Sequence, residues 1–437
     1  MKLWTYASIL ALAGVLTACD RGFILEGERF PLRAPFAEDA GEAPANRALP
    51  ISLPAAASNA AWTHRLGTPN TRIAHPALGG SLTPVWSVPI GQGEGRRHRI
   101  TAEPVASGGL IYTLDSRARV SAVSTSGELV WSRDLTPDFT RSGDGASGGG
   151  LAISDGRLYV ASGFGLLSAL DLRSGDVIWT KRFDAPLTGA PTIAGNRVFV
   201  VATDSSAWSL DAASGQTDWF LEGAPSVSGM VGGPAPAVAG DLVLFATPGG
   251  ELIAARRDTG QISWRTAVAG TRIGVAYAQV NDVTGDPVIQ GDRVFVGNQS
   301  GRVMALNLRD GRRQWTADEA AYGPVWPVGG SVFLMSDRNR LLRLDASTGE
   351  FIWGQQLPLH TRDRERRRVQ VYAHYGPVLA GGRLIVASDD GKLRMFDPAS
   401  GESRGEVALR SGAAVSPIVV GGTLYVVSRD GHLVAYR

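Results

Sequence analysis

The residues able to do chemistry are few and scattered. Six histidines, His64, His75, His98, His360, His374 and His432, never fall at a spacing that sets two metal ligands side by side, and no metal site is expected. The single cysteine, Cys19, allows neither a disulfide framework nor a cysteine-based metal site. Gly145-Ala-Ser147-Gly-Gly149 fits the string of a nucleophile elbow, and Gly143-Asp144-Gly-Ala-Ser-Gly148 fits that of a dinucleotide loop. Both motifs work only between a strand and a helix, and neither string sits there, so they read as one glycine-rich loop. Scattered acids such as Asp144 form no constellation, and no catalytic residue is expected. Two basic clusters remain, Arg96-Arg97-His98-Arg99 and residues 362–368, the latter interrupted by Asp363 and Glu365. They suit an acidic partner or lipid headgroups, or are solvated loops partly paired with their own acids.

The elements that must position such residues are repeats. Residues 287–315 hold three short apolar runs and the start of a fourth, bounded by Gly, Asp, Asn or Ser, which reads as strands joined by tight turns. The same pattern starts at Pro104, Ile153, Pro191, Pro236, Pro287, Pro324, Pro377 and Pro417, making eight units. A tryptophan four places after a glycine closes six of them: Trp131, Trp179, Trp219, Trp264, Trp315 and Trp353. Gly405 holds that place in the seventh. The eighth unit stops at Arg437 without a fourth strand, while residues 83–90, with Trp86 in the tryptophan place, form a fourth strand without the other three. Joining them closes a ring and removes its open edges. The expected fold is all-β, an eight-bladed propeller of four-stranded antiparallel blades, with the seven indoles as core rather than as a ladder for sugars or bases. The connections at 91–103, 134–149, 223–233, 267–286 and 354–376 are long and share one face, where function is expected.

Lys2 and the apolar run 7–15 form a signal-peptide core, too short to span a membrane. Leu16-Thr-Ala-Cys19 resembles the bacterial lipobox, in which the cysteine is lipidated. Asp20 resembles an inner-membrane retention signal of enteric bacteria, so a lipid-anchored, periplasm-facing protein is expected with the outer membrane preferred and the inner one left open. Residues 20–80 are rich in Ala and Pro without sustained period and read as a linker, with an r.m.s. span of roughly 40–45 Å if fully flexible. Trp62 is expected to pack this segment onto the body or to cap the central channel. The organisation is then a signal peptide at 1–18, a lipidated tether at 19–80 and a propeller at 81–437. A formal charge of +2 gives no case for nucleic acid.

The blade motif, ALDLRSGDVIW at 169–179 and A-x-x-x-x-x-x-W at 346–353, resembles the quinoprotein-type β-propeller repeat family across residues 81–437. Quinone-dependent dehydrogenases of that kind bring calcium-binding carboxylates and often a vicinal disulfide, which one cysteine rules out. Signal, lipobox and eight cysteine-free blades together resemble the family of outer-membrane protein assembly factors, BamB. That resemblance implies a non-enzymatic scaffold without cofactor. Its implied partners are the POTRA region of BamA, other subunits of the β-barrel assembly machinery and unfolded outer-membrane proteins. It places partner contacts on two loops. In the first, Val227 matches, Gly229 stands where a second apolar side chain is expected, and Met230 replaces an arginine. In the second, Asp282 matches, Thr284 replaces an acid, and Asp286 is a substitute or a turn cap. A ligand-binding or sensor propeller on the inner membrane remains the alternative, and a dehydrogenase is the remotest reading.

Overall fold

Runs of apolar, β-branched residues closed by glycine turns fold as their spacing predicts. In the computed structural model of the chain, residues 44–140, 147–187, 189–223, 232–268, 270 and 282–437 are described. From Asn46 onward they belong to one unit of eight four-stranded antiparallel sheets, each a blade of the propeller. Residues 287–317 contribute the strands Val288–Gln290, Arg293–Asn298, Arg302–Asn307 and Arg313–Ala317, paired in that order. The two middle strands are buried along most of their length because neighbouring blades cover both faces of each sheet, whereas the outermost strand alternates with solvent.

The eighth blade is assembled from both ends of the ring. Pro84–Pro89 pairs antiparallel with His432–Tyr436, which continues to Thr423–Val427 and Ile418–Val420. No sheet edge is left at the seam of the ring.

The tryptophans serve the next blade rather than their own. Trp86 lies on Gly127, Trp131 on Gly175, Trp179 on Gly215, Trp219 on Gly260, Trp264 on Gly311, Trp315 on Gly349 and Trp353 on Gly401. Each of these glycines closes the turn between third and fourth strands of the following blade. Each indole Nε1 also donates to a carbonyl of that turn, as from Trp315 to Ala346 at 3.0 Å and from Trp131 to Leu172 at 3.4 Å. At Gly349 the backbone is left-handed, with φ of 76°, and a Cβ would fall 2.5 Å from the Trp315 ring. Only glycine fits both demands. The lapse at Gly405 now has a cause. Its indole would dock on the eighth blade, whose third and fourth strands, His432–Tyr436 and Pro84–Pro89, are joined by no turn.

Residues 46–80, read from composition as part of a linker, are packed on the ring. Arg47 donates its backbone N–H to Ile352 at 2.8 Å, and Asn46 Nδ2 donates to Gly354 at 3.2 Å, so the chain enters alongside the outermost strand of the sixth blade, Phe351–Gln356. It then passes the carbonyls of Leu49 and Pro50, which accept from Arg343, and goes into the channel. There it makes one circuit. Asn59 accepts from Gly421 of the eighth blade, Trp62 pairs both ways with Ala106 of the first, and Thr63 accepts from Ile153 of the second. His64 Nε2 accepts from the Ile193 N–H of the third blade at 3.1 Å. Pro69 accepts from Val238 of the fourth and Asn70 from Ile289 of the fifth. Arg72 donates to Pro324 and Val325 of the sixth, and Pro76 accepts from Gly381 of the seventh. The innermost strand of every blade has backbone groups with no fifth strand to pair with, and this segment answers groups within those strands or directly beside them. Trp62, 1% exposed, is the largest side chain it buries.

Candidate partner-docking face

A four-stranded antiparallel blade puts its first and third turns at one end of the ring and its second turn, with the connection to the next blade, at the other. The first end is short everywhere, and the channel segment touches it at Gly381 and Gly421. The second end carries the long connections. Of the residues expected to contact a partner there, Val227 and Met230 lie outside the described residues, as does the lipidation site Cys19.

Asp282 and Asp286 are described, and neither is a surface acid: they are 4% and 1% exposed. Asp286 accepts from Arg65 Nη1 at 2.9 Å and from the Ala235 N–H at 3.1 Å. Arg65 Nε lies 2.9 Å from Glu103, and its Nη1 also donates to the Gly233 carbonyl. The carboxylate expected to orient a partner thus fastens the channel segment to two inter-blade connections, and it is neither exposed nor a simple turn cap. Burial pushes the Asp286 carboxyl above the usual carboxylate range against the pull of Arg65. Burial would lower the Arg65 guanidinium, but Asp286 and Glu103 outweigh it and raise it. Both signs mark a desolvated cluster whose charges depend on each other.

Asp282 lines a cleft with Val283, Thr284, Gly233 and Tyr322 whose volume is about 30 Å³, room for one water and for no cofactor. Thr284 Oγ1 donates to the Ala321 carbonyl at 2.6 Å, so the residue in the acid's place ties the loop to the next blade. The channel is filled by the chain's own residues, and among the described residues no three His, Cys, Asp or Glu converge on a point.

The exposed relief of this face lies elsewhere. Residues 357–373 form a short arm. Tyr372 N–H donates to Leu359 at 2.9 Å and Thr361 N–H to Gln370 at 3.1 Å, while Asn339 Nδ2 holds both limbs through the carbonyls of Pro358 and Tyr372. Its tip presents Arg362, Arg364, Arg366, Arg367 and Arg368 to solvent, followed by Val369, 87% exposed, and Val371, 57% exposed. The basic cluster at 96–99 splits: Arg96 and Arg97 are exposed, His98 is buried against Ser116, and Arg99 pairs with Glu94 at 3.1 Å. Glu94 in turn holds Arg429, which faces Asp389, whose carboxylate accepts from the Ala373 N–H at the foot of the arm. The two clusters are linked across the seventh and eighth blades. Sequence reasoning missed Arg65 and Glu103; Trp62-Thr-His-Arg65, standing out of an Ala/Pro stretch, was the only signal.

A family model described as outer membrane protein assembly factor BamB matches residues 116–355 and 364–437. Among curated relatives, the outer membrane protein assembly factor BamB of Shewanella oneidensis is 27% identical over 76% of this chain and 82% of its own. That of Yersinia pestis is 24% identical over 77% and 84%. Among solved structures, BamB from Moraxella catarrhalis superposes with a TM-score of 0.67 at 19% identity, over 82% of this chain and 100% of that one. The quinohemoprotein alcohol dehydrogenase of Comamonas testosteroni superposes at 0.64 with 16% identity, over 87% and 81%. At such identities the two structures speak for the ring alone. The matched family model covers most of the chain, and on that ground the chain belongs to the family of outer membrane protein assembly factor BamB.

Proposed function

We propose that this protein is a non-enzymatic scaffold of the β-barrel assembly machinery, lipidated at Cys19, facing the periplasm from the outer membrane, and docking the POTRA region of BamA with the long-loop face of its propeller. The observation that carries the reading is the inequality of the two ends of the ring. The channel is occupied by the chain's own residues 59–76, bonded to every blade, and the short-turn end has no long connection to offer, which favours the end where the connections are long. On this reading Val227 and Met230 supply apolar contact, and Gly232 and Gly233, which follow them in the sequence, line the cleft at Asp282. Asp286 serves this surface indirectly, by fixing the connections that frame it.

The test is co-purification of BamA from the native envelope. Val227→Glu with Met230→Glu should reduce recovery of BamA at least tenfold with an unchanged melting temperature. Recovery at the wild-type level sinks the docking site.

A further inference from the structure

The Arg-rich arm is left unused by the docking reading, and its position is unusual. Strand Phe351–Gln356 ends where the arm begins. The chain enters the folded unit along that same strand and antiparallel to it, Asn46 beside Gly354 and Arg47 beside Ile352 and Phe351. It therefore arrives from the Gln356 end, next to the foot of the arm. Because residues from Asn46 onward are packed on the ring, only 20–45 separate the body from Cys19. If fully flexible, a stretch of that length would have an r.m.s. span of roughly 26–31 Å, well short of the span expected for a linker running to residue 80.

The tip itself has the composition of a surface that touches headgroups. Five arginines against Asp363 and Glu365 give residues 362–368 a formal charge of +3, and two exposed valines follow them. Exposed valine at 87% has no packing role to explain it. The bonded stem, held at its foot by Asn339, presents the tip without a large ordering cost.

We propose that the arm 359–372 is a membrane-contact element that binds anionic phospholipid headgroups through Arg362, Arg364, Arg366 and Arg367 and inserts Val369 at the interface. It adds an electrostatic contact with the bilayer to the lipid on Cys19. It sets the tilt of the ring over the bilayer. This rests on the anchored reading of Cys19, and anionic lipid is favoured over an acidic protein because both the arm and the chain's entry point lie at one corner of the body, with apolar residues at the arginine tip.

The experiment uses the full mature chain with Cys19→Ser, so that the anchor cannot carry it, in flotation with vesicles of phosphatidylcholine alone or mixed with phosphatidylglycerol. The expected result is flotation with the mixed vesicles only, lost as salt is raised through ~0.5 M. Arg364→Ala, Arg366→Ala and Arg367→Ala combined should weaken it on the order of a hundredfold, and Val369→Asp roughly tenfold, with melting unchanged. Equal flotation of wild type and the triple variant, or none with either vesicle, overturns the proposal. If the triple variant instead loses an acidic protein from envelope pull-downs while vesicles never bind, the arm is a protein contact and the proposal also falls. The mass of the N-terminal peptide of the wild-type lipoprotein separates the two readings: flotation of the Cys19→Ser chain without lipid on Cys19 supports the arm and removes the anchor.

Discussion

The channel and the exposed arm of the propeller solve opposite problems with the same chain. Along the channel, residues 59–76 bond to every blade, burying Trp62 and, where the inter-blade connections begin the innermost strands, a charged cluster at Arg65, Asp286 and Glu103. At the long-loop end, the arm at 357–373 makes its own stem and leaves its arginines and Val369 in water. The first region spends its polar groups on the fold, and its substitution costs stability. The second keeps them free of the core, and its substitution costs binding. Charge count does not tell these apart; burial does.

Three changes in the buried framework would sharpen that contrast or break it. The largest effect is expected from deleting residues 81–90, which removes Trp86 and the strand paired with His432–Tyr436. Stability should fall by about 5 kcal/mol or more, and an unchanged melting curve would refute closure by strand exchange. Next, Arg65→Met leaves Asp286 and Glu103 buried without their cation and should cost about 3–5 kcal/mol in chemical denaturation. Adding Asp286→Asn should recover part of that loss, and additive losses would mean the pair is not coupled.

The smallest effect concerns pH. Burial lowers the His64 imidazole from its usual value to about 4, and its neutral Nε2 accepts a hydrogen bond from the Ile193 N–H that protonation would break. The unfolded chain takes up that proton near pH 6.5 and the folded one only near 4. The stability of the neutral form is therefore fully present above pH 6.5 and is lost as pH falls, at roughly 1.4 kcal/mol per unit from pH 6.5 toward 5. His64→Gln should flatten this slope in melts at graded pH. A slope that survives the substitution assigns the acid sensitivity to other groups.

Much of the fold was legible because the ring is built of local signals. Period-two apolar runs, turn glycines and recurring tryptophans are written within about 40 residues of each other, and even the exchanged strand shows as a surplus at one end and a deficit at the other. The role of Gly405 was not legible, since what it lacks is a turn in the next blade. The candidate site was legible only as a face. Loop length marked it, but the sequence shows Asp286 as an acid before a strand and gives no sign that Arg65, more than two hundred residues away, lies 2.9 Å from it.

What the sequence by itself determined is the number of blades, their strand order, the closing strand and the family, all properties of short windows and their repetition. What only the tertiary structure decided is where residues 46–80 go and which charges are free. Those depend on the inner edges of eight strands meeting around one channel. A segment with no periodicity of its own finds its hydrogen bonds there, because the unpaired backbone groups of a closed ring have to be answered by something other than another strand.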